Sequence, residues 1–385
     1  RRLRLTRALR RQPAWERIEI AWDNLSVGLG GLSQLLVQLK QELERLDLNY
    51  AVQDFEELWS ELTSYLNQLE ATRAGLKSVM EPAAPQSNQV ITWLEQAANT
   101  GTVSVHAAPL HVGELVRRHL FDAKEAVILT SATLFTDQGA SFLRERLGAH
   151  EVAEVSVGSP FDYRNATLLC VPREEDMPPP NDPRYQSTLE TALVELVRAV
   201  GGRTLVLFTS HNQLRNTARA IQAQLAQDDI LVLEQGSGGS RAQLLERFKD
   251  TETRSVLLGT RSFWEGIDVA GERLSCVVIV KLPFAVPDDP IFAARSEAYE
   301  DSFNQYALPD AILRFRQGFG RLIRTRSDRG VVVCFDSRLL SKAYGDAFLR
   351  SLPECTLWRG QLAGLPGLAA RWIDEGNLTL EGRYD

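Results

Sequence analysis

Glycine and lysine never stand side by side in that order in this chain of 385 residues. The sequence therefore has no phosphate-gripping loop of the form G-x-x-x-x-G-K-[ST]. The nearest approach, Gly75-Leu76-Lys77-Ser78, lies in a segment with helical spacing. The only Asp-Glu pair, Asp374-Glu375, follows no buried strand, so a strand-end carboxylate pair for magnesium is missing too. Cys170, Cys276, Cys334 and Cys355 are scattered without metal-type spacing, and three lie in or beside apolar runs. They read as buried reduced thiols, with no metal site predicted. No apolar run reaches the roughly 18 residues of a membrane span. The opening RRLRLTRALRR lacks the apolar segment of a secretory signal. The chain starts at arginine rather than methionine, which suggests a piece of something longer.

What is present is ordinary globular composition, 44% apolar and 24% charged, at a length that suggests two or three domains. A net charge of −7 lowers the expectation of a nucleic-acid partner, but net charge does not fix the field inside a groove. Residues 1–102 read as helical. Leu32, Leu35, Leu36, Leu39, Leu43 and Leu46 recur at helical spacing, as do Val52, Phe55, Leu58, Trp59, Leu62, Leu66 and Leu69. Asp47-Leu48-Asn49-Tyr50 can turn the chain between them, giving a hairpin whose leucines form an interhelical core, and Pro82 and Pro85 end the second arm. Arg1, Arg2, Arg4, Arg7, Arg10 and Arg11 read as a solvated charged face.

From about 103 the period changes. Ala126-Val127-Ile128-Leu129 reads as a short buried strand, followed by further strands at 166–171, 204–208, 230–233, 255–258, 276–281 and 331–335. Helical segments fall at 185–200, 212–226, 241–248 and 309–324. Alternating helices and continuously apolar strands predict an α/β fold, a parallel sheet covered by helices on both faces.

In such a sheet ligands sit beyond the carboxyl ends of the strands. Thr130-Ser131-Ala132-Thr133, Thr209-Ser210-His211-Asn212 and the long run Gly259 to Asp268 each follow a strand, and offer hydroxyls and backbone amides to phosphate oxygens. Each cluster alone also fits a helix cap, Thr209-Ser210 at least as well as a ligand site. Gln317 to Arg324, QGFGRLIR, adds two arginines three apart on one predicted helix face. Arginine grips phosphate with a planar, permanently charged fork.

Taken in order, VILTSATL (127–134), GSPF (158–161), LVLFTS (205–210), LLGTRSFWEGIDVAGERL (257–274) and QGFGRLIR resemble the later motifs of the DinG/XPD branch of superfamily 2 helicases. VIVKLPF (278–284) adds to the likeness. The resemblance implies a RecA-like fold and three regions. Residues 1–102 would be a helical, arch-like region, 103–161 the end of a first motor domain, and 162–385 the second motor domain. Two such domains close on ATP and Mg²⁺ while single-stranded DNA crosses both, with movement 5′ to 3′. By this likeness Arg324, then Arg321, would reach the triphosphate, with Gln317 fixing the geometry. Glu265, Gly266, Asp268 and Gly320 would line the nucleotide side. Ser131 and Thr133 would couple nucleotide to DNA, and Thr209, Ser210, Thr260, Arg261 and Trp264 would face the strand. Trp264 fits a core anchor about as well. The resemblance also implies a bacterial, cytoplasmic, nucleoid-associated protein acting in DNA repair. An iron–sulphur cluster, if any, would lie before Arg1, together with the missing N-terminal motor domain and its phosphate loop. The chain alone is then expected to hydrolyse no ATP. Two other readings are open at this point: a non-catalytic interaction module that kept the fold, and an RNA-directed motor.

Overall fold

The computed structural model describes residues 2–81, 90–97, 100–131, 133, 139–264, 269 and 271–376. The chain divides into two compact units, residues 1–115 with 286–300, and residues 116–285 with 301–385. Among the described residues no helix is long and apolar enough to cross a membrane.

In the first unit, α1 (Pro13–Tyr50) and α2 (Phe55–Met80) form the expected hairpin. Pro13 opens α1 where a missing N–H costs nothing. The helix runs through the turn expected at 47–50 and stops at Ala51, which adopts a left-handed backbone at φ 48°. At 38 residues α1 spans roughly 57 Å. The expectation of a leucine core is corrected. Leu36 and Leu43 lie half-buried, but Leu35, Leu39 and Leu46 are exposed. A helix packed on one partner buries a single stripe, and these leucines occupy two. Lys40 covers Trp59 along the hairpin, its ammonium 4.2 Å from the ring centre.

The all-helical reading of this region is also corrected. Strands β1 (Arg2–Arg4), β2 (Val90–Gln96) and β3 (Val103–Pro109) form an antiparallel sheet in that order. The β2–β3 register joins Val90 to Pro109 and Gln96 to Val103, so a hairpin spans position 102. Nor are the leading arginines merely a solvated face. Arg4 makes a two-pronged contact with Glu297, and Arg2 meets Glu95 and Asp289.

The second unit is built on a seven-stranded sheet. Its strands are β4 (Thr167–Pro172), β5 (Thr204–Leu207), β6 (Leu231–Glu234), β7 (Ser255–Gly259), β8 (Cys276–Ile279), β9 (Gly330–Cys334) and β10 (Thr356–Gly360). The order is β10-β4-β9-β8-β5-β7-β6, parallel throughout. Six of the seven were expected; β10, whose residues are only partly buried, was not.

Alternate strand residues feed two cores. On one face Cys170, Val206, Phe208, Val278 and Val333 pack under α3 (Tyr185–Ala199), α4 (His211–Ala226) and a helix at Leu365–Glu375. On the other, Leu205, Leu207, Leu257, Ile279 and Val332 pack under the helix Arg241–Lys249 and α5 (Leu308–Phe319). The result is a RecA-like α/β layer structure with helices on both faces. Cys170, Cys276 and Cys334 are buried thiols, and burial pushes Cys276 up to about 12.

The strand expected at 126–129 does not form. Ile128 is 86% exposed, and no ladder partner stands beside this segment among the described residues. An apolar strand without a neighbouring strand leaves its backbone groups to water.

Candidate nucleotide and nucleic-acid face

The run Gly259 to Trp264 turns off the carboxyl end of β7 into a single helical turn, Arg261–Trp264. Thr260 is 4% exposed, and its amide and hydroxyl both donate to Gln235 Oε1, at 2.6 and 3.0 Å. Its hydroxyl also lies 3.1 Å from His211 Nε2. Gln235 Nε2 reaches on to Ser262 at 3.0 Å. Loops after three parallel strands, β5, β6 and β7, are thus joined in one polar cluster. Arg261 is exposed beside it.

Ser210 is the N-cap of α4, its hydroxyl accepting from Gln213 N at 3.4 Å. The cap reading holds for it. Trp264 is also placed as an anchor. It is 4% exposed, and its Nε1 donates to the Phe208 carbonyl at 3.2 Å.

QGFGRLIR is not helical to its end. Helix α5 stops at Phe319, Gly320 caps it, and Arg321 and Arg324 lie in the following turn rather than on a helix face. Asp328 explains the break. Its Oδ2 accepts from the backbone amides of Arg324 and Thr325, both at 2.8 Å, and its Oδ1 from the Thr325 hydroxyl at 2.6 Å. Oδ1 also accepts from Gly271 N at 3.1 Å, which fastens the turn to the end of the 257–274 motif. Burial opposes ionisation of Asp328, but these hydrogen bonds outweigh it and hold the carboxyl below its usual value. Arg321 Nε donates to the Gln317 carbonyl at 2.9 Å. The buried Gln317 Oε1 makes no hydrogen bond among the described residues.

The stretch after GSPF belongs to this corner. Tyr163 packs 6.0 Å from both Phe161 and Phe319. Burial raises its phenol, against the opposing pull of a Ser159 hydrogen bond and of Arg324 and Arg316. Arg316 is itself lowered by burial. Ser131 is exposed, its hydroxyl 3.2 Å from the Thr133 amide. Glu265, Gly266 and Asp268 lie outside the described residues. The structure therefore unites the 259–274 and 317–324 motifs, and separately joins the loops after β5, β6 and β7. Asp328, Gln235 and Tyr163 were missed as site residues; the one available signal for Gln235 was its place just beyond an apolar run.

Residues 193–355 match the helicase C-terminal domain family. The chain is 35% identical over 275 residues to the 3'-5' exonuclease DinG of Bacillus subtilis, covering 69% of this chain and 29% of that protein. It is 40% identical over 272 residues to the ATP-dependent DNA helicase YoaA of Haemophilus influenzae, covering 69% and 41%. The Escherichia coli protein of the same name is 38% identical over 265 residues, covering 68% and 40%. Residues 193–355 thus carry a helicase C-terminal domain, and the chain is similar to the DinG and YoaA proteins. It spans less than half the length of each of these relatives. The matched residues take in β5 to β9, and QGFGRLIR straddles the end of α5 within them.

Proposed function

We propose that this chain is the C-terminal part of an ATP-dependent DNA helicase of the DinG type. In this reading the hairpin of α1 and α2 is its arch-like region, the β1–β3 sheet, which spans position 102, and the residues on to 161 belong to the first motor domain, and 162–385 is the second. The observation that carries the reading is Asp328, which accepts from Gly271, Arg324 and Thr325 together. A turn fixed by one carboxylate through the backbone amides of Arg324 and Thr325 sets the place of Arg324 in the chain. Such preorganisation is what an arginine finger needs, since it stabilises charge on a transferring phosphoryl group and does no covalent chemistry.

In the whole protein, ATP with Mg²⁺ supplies the phosphoryl group, and the phosphate loop would come from a first motor domain. Arg324 would approach the triphosphate from this side, with Arg321 and Gln317 beside it and Glu265, Gly266, Asp268 and Gly320 along the wall. The loops after β5 and β7, with Thr209, Ser210, Thr260 and Arg261, would face single-stranded DNA, and Ser131 and Thr133 would link the two sites. Trp264 would serve this face from behind, by setting the position of its helical turn. The exposed 126–129 segment would gain its sheet neighbours in the first motor domain.

The test is Arg324→Ala in the full-length protein. Turnover should fall by about a thousandfold or more while ATP binding changes little. Loss of ATP affinity with unchanged turnover per bound ATP would remove the finger assignment. The 385-residue chain alone should show no magnesium-dependent hydrolysis. Competition between single-stranded DNA and RNA of equal sequence, at matched salt, tests the choice of DNA.

A further inference from the structure

The two sides of the α1–α2 hairpin differ in chemistry. Along α1 the half-buried Leu29, Leu36 and Leu43 alternate with Ser33, Lys40 and Asp47 at steps of four and three, and none of the six is exposed. Along α2 the half-buried Leu62 and Leu69 alternate in the same steps with Trp59, Leu66 and Arg73. These are the d and a positions of two facing heptad seams. Lys40 over Trp59 and the hydrogen bond from the Ser33 hydroxyl to Glu70 tie the helices together along them.

The residue before each a position, g, borders the seam. On α1 these are Ile18, Leu25, Leu32, Leu39 and Leu46, one every seven residues and each between 42% and 53% exposed. On α2 they include Leu58 and Tyr65, also exposed. Because the helices run antiparallel, both g rows border one side of the hairpin and both e rows the other. The e rows are mostly polar, with Asp23 and Glu44 on α1 and Glu56, Glu70 and Lys77 on α2.

A two-helix seam needs only a and d to be apolar, and its g positions commonly carry Glu or Lys. Apolar a, d and g together are the pattern of a helix packed in a bundle. Ala21, Gly28 and Leu35, each three residues beyond a g position, widen the apolar side. A Cβ on Gly28 would meet nothing within 4 Å, so packing within the chain does not call for glycine there. Glycine inside a helix is unfavourable, and on this side it leaves room for a second backbone to come close. From 18 to 46 the row runs roughly 42 Å, about four heptads of a facing helix.

The charges select the kind of helix. Residues 13–80 carry eleven acidic and five basic side chains, a net of −6. On the g side, α2 is edged by Asp54, Glu57 and Glu61, all exposed and without an ion pair among the described residues. A second copy would set the same −6 against itself, and a nucleic-acid strand would add phosphates to it. Lysine or arginine along one flank of the incoming helix complements this edge.

We propose that the g side of the α1–α2 hairpin docks one amphipathic helix of a protein partner, with an apolar stripe on the leucine row and a basic flank over Asp54, Glu57 and Glu61. None of these residues is among those assigned to ATP or DNA.

The experiment titrates a labelled synthetic peptide of about 28 residues into this chain by fluorescence anisotropy, with four leucine-striped heptads and lysine flanks. Its twin has glutamate flanks, and melting temperature is the fold control. The lysine peptide should bind about tenfold or more tighter than its twin at low salt, and the gap should narrow as salt rises. Leu32→Glu combined with Leu39→Glu should weaken it by more than about tenfold, and Val37→Gln, on the e side, should change it little. Glu57→Lys combined with Glu61→Lys should reverse the preference between the peptides. This charge swap spares the leucine row, so it tests the face even where Leu32→Glu loosens the hairpin. Sedimentation should find the chain monomeric. Failure of the lysine peptide to bind, or equal binding of the two peptides, overturns the docking face, as does an equal loss in Val37→Gln. A dimer that Leu32→Glu dissolves gives the face to a second copy instead. Full-length protein that no longer takes up the peptide gives it to other residues of the same protein.

Discussion

The Trp264 indole fills the space that a Cβ on Gly318 would need, with Cε3 and Cζ3 each 2.9 Å from that position. Leu207 closes the other side at 3.1 Å. Gly318 thus serves close approach, not chain reversal, since it lies inside α5. The ring is held against it by the Nε1 bond to Phe208. Through this contact the helical turn after β7 packs directly on the helix leading to Arg321 and Arg324.

Gly318→Ala should therefore destabilise the second unit by about 1–3 kcal/mol, despite the better helix propensity of alanine, because the indole cannot move without breaking its hydrogen bond. Trp264→Phe lacks the clashing atoms. The alanine should cost at least about 0.5 kcal/mol less in that background, and a double-mutant cycle by thermal unfolding measures the coupling. Strict additivity would mean that the two sites do not touch as described.

Asp328→Asn replaces one carboxylate oxygen by an NH₂ group that faces amide donors. The expected loss is about 2 kcal/mol near neutral pH. The sign of its pH dependence follows from the lowered carboxyl. A depressed pKa contributes stability that is full above the unfolded value, close to 3.8, and is lost as pH falls through the lower folded value. The gap between wild type and Asp328→Asn should hold from pH 7 to about pH 5 and narrow below about pH 4. Unfolding in denaturant at stepped pH measures it. A gap that grows on acidification would contradict the assigned bonds.

Much of the second unit was legible because its strands are buried on both faces, and so read as unbroken apolar runs from Thr204 to Phe208 or Val331 to Phe335. Strand β10 was hidden because its residues, Thr356 to Trp358, are only half-buried at the sheet edge. The end of α5 was misplaced by five residues, because helical spacing continues through Leu322 and Ile323 while the break is made by Asp328 further along the chain. The hairpin leucines misled in the opposite way: their periodicity was real, but α1 finds a helix partner on one side. For the site, the motif order picked out loops after β5 and β7 that the structure brings into one polar cluster. It did not show that Trp264 is bonded to the Phe208 carbonyl or that Ser210 caps α4, and Gln235 went unnoticed.

Arg10 offers a test in the first unit. Its guanidinium donates to the carbonyls of Val79 at 2.5 Å and Met80 at 3.1 Å, and to the Thr92 hydroxyl at 3.2 Å. It also stacks on Trp15 at 4.9 Å. A cation on the last carbonyls of α2 complements the helix dipole, and its removal leaves them part-buried and unpaired. Arg10→Ala should lower amide-exchange protection across 75–80 and 90–96. Arg7→Ala should change those segments less, because Arg7 is exposed.

The two arginines of the turn should separate by readout. Arg321 Nε caps the Gln317 carbonyl, one of the carbonyls that the end of α5 leaves without a helical partner. Arg324 enters the fixing of the turn through its backbone amide, which any residue but proline supplies. Arg321→Ala should therefore cost about 1 kcal/mol of stability by thermal unfolding, the worth of a typical hydrogen bond. Arg324→Ala should leave the turn closed, because the Asp328 bonds to the amides of residues 324 and 325 survive it. In the full-length protein the order reverses, with ATP turnover lost in Arg324→Ala more completely than in Arg321→Ala. Lysine at 324 should restore little of it, because an ammonium keeps the charge but not the planar fork. Equal loss of turnover in both alanine variants, with equal stability, would make the pair a single phosphate grip and remove the division of labour between them.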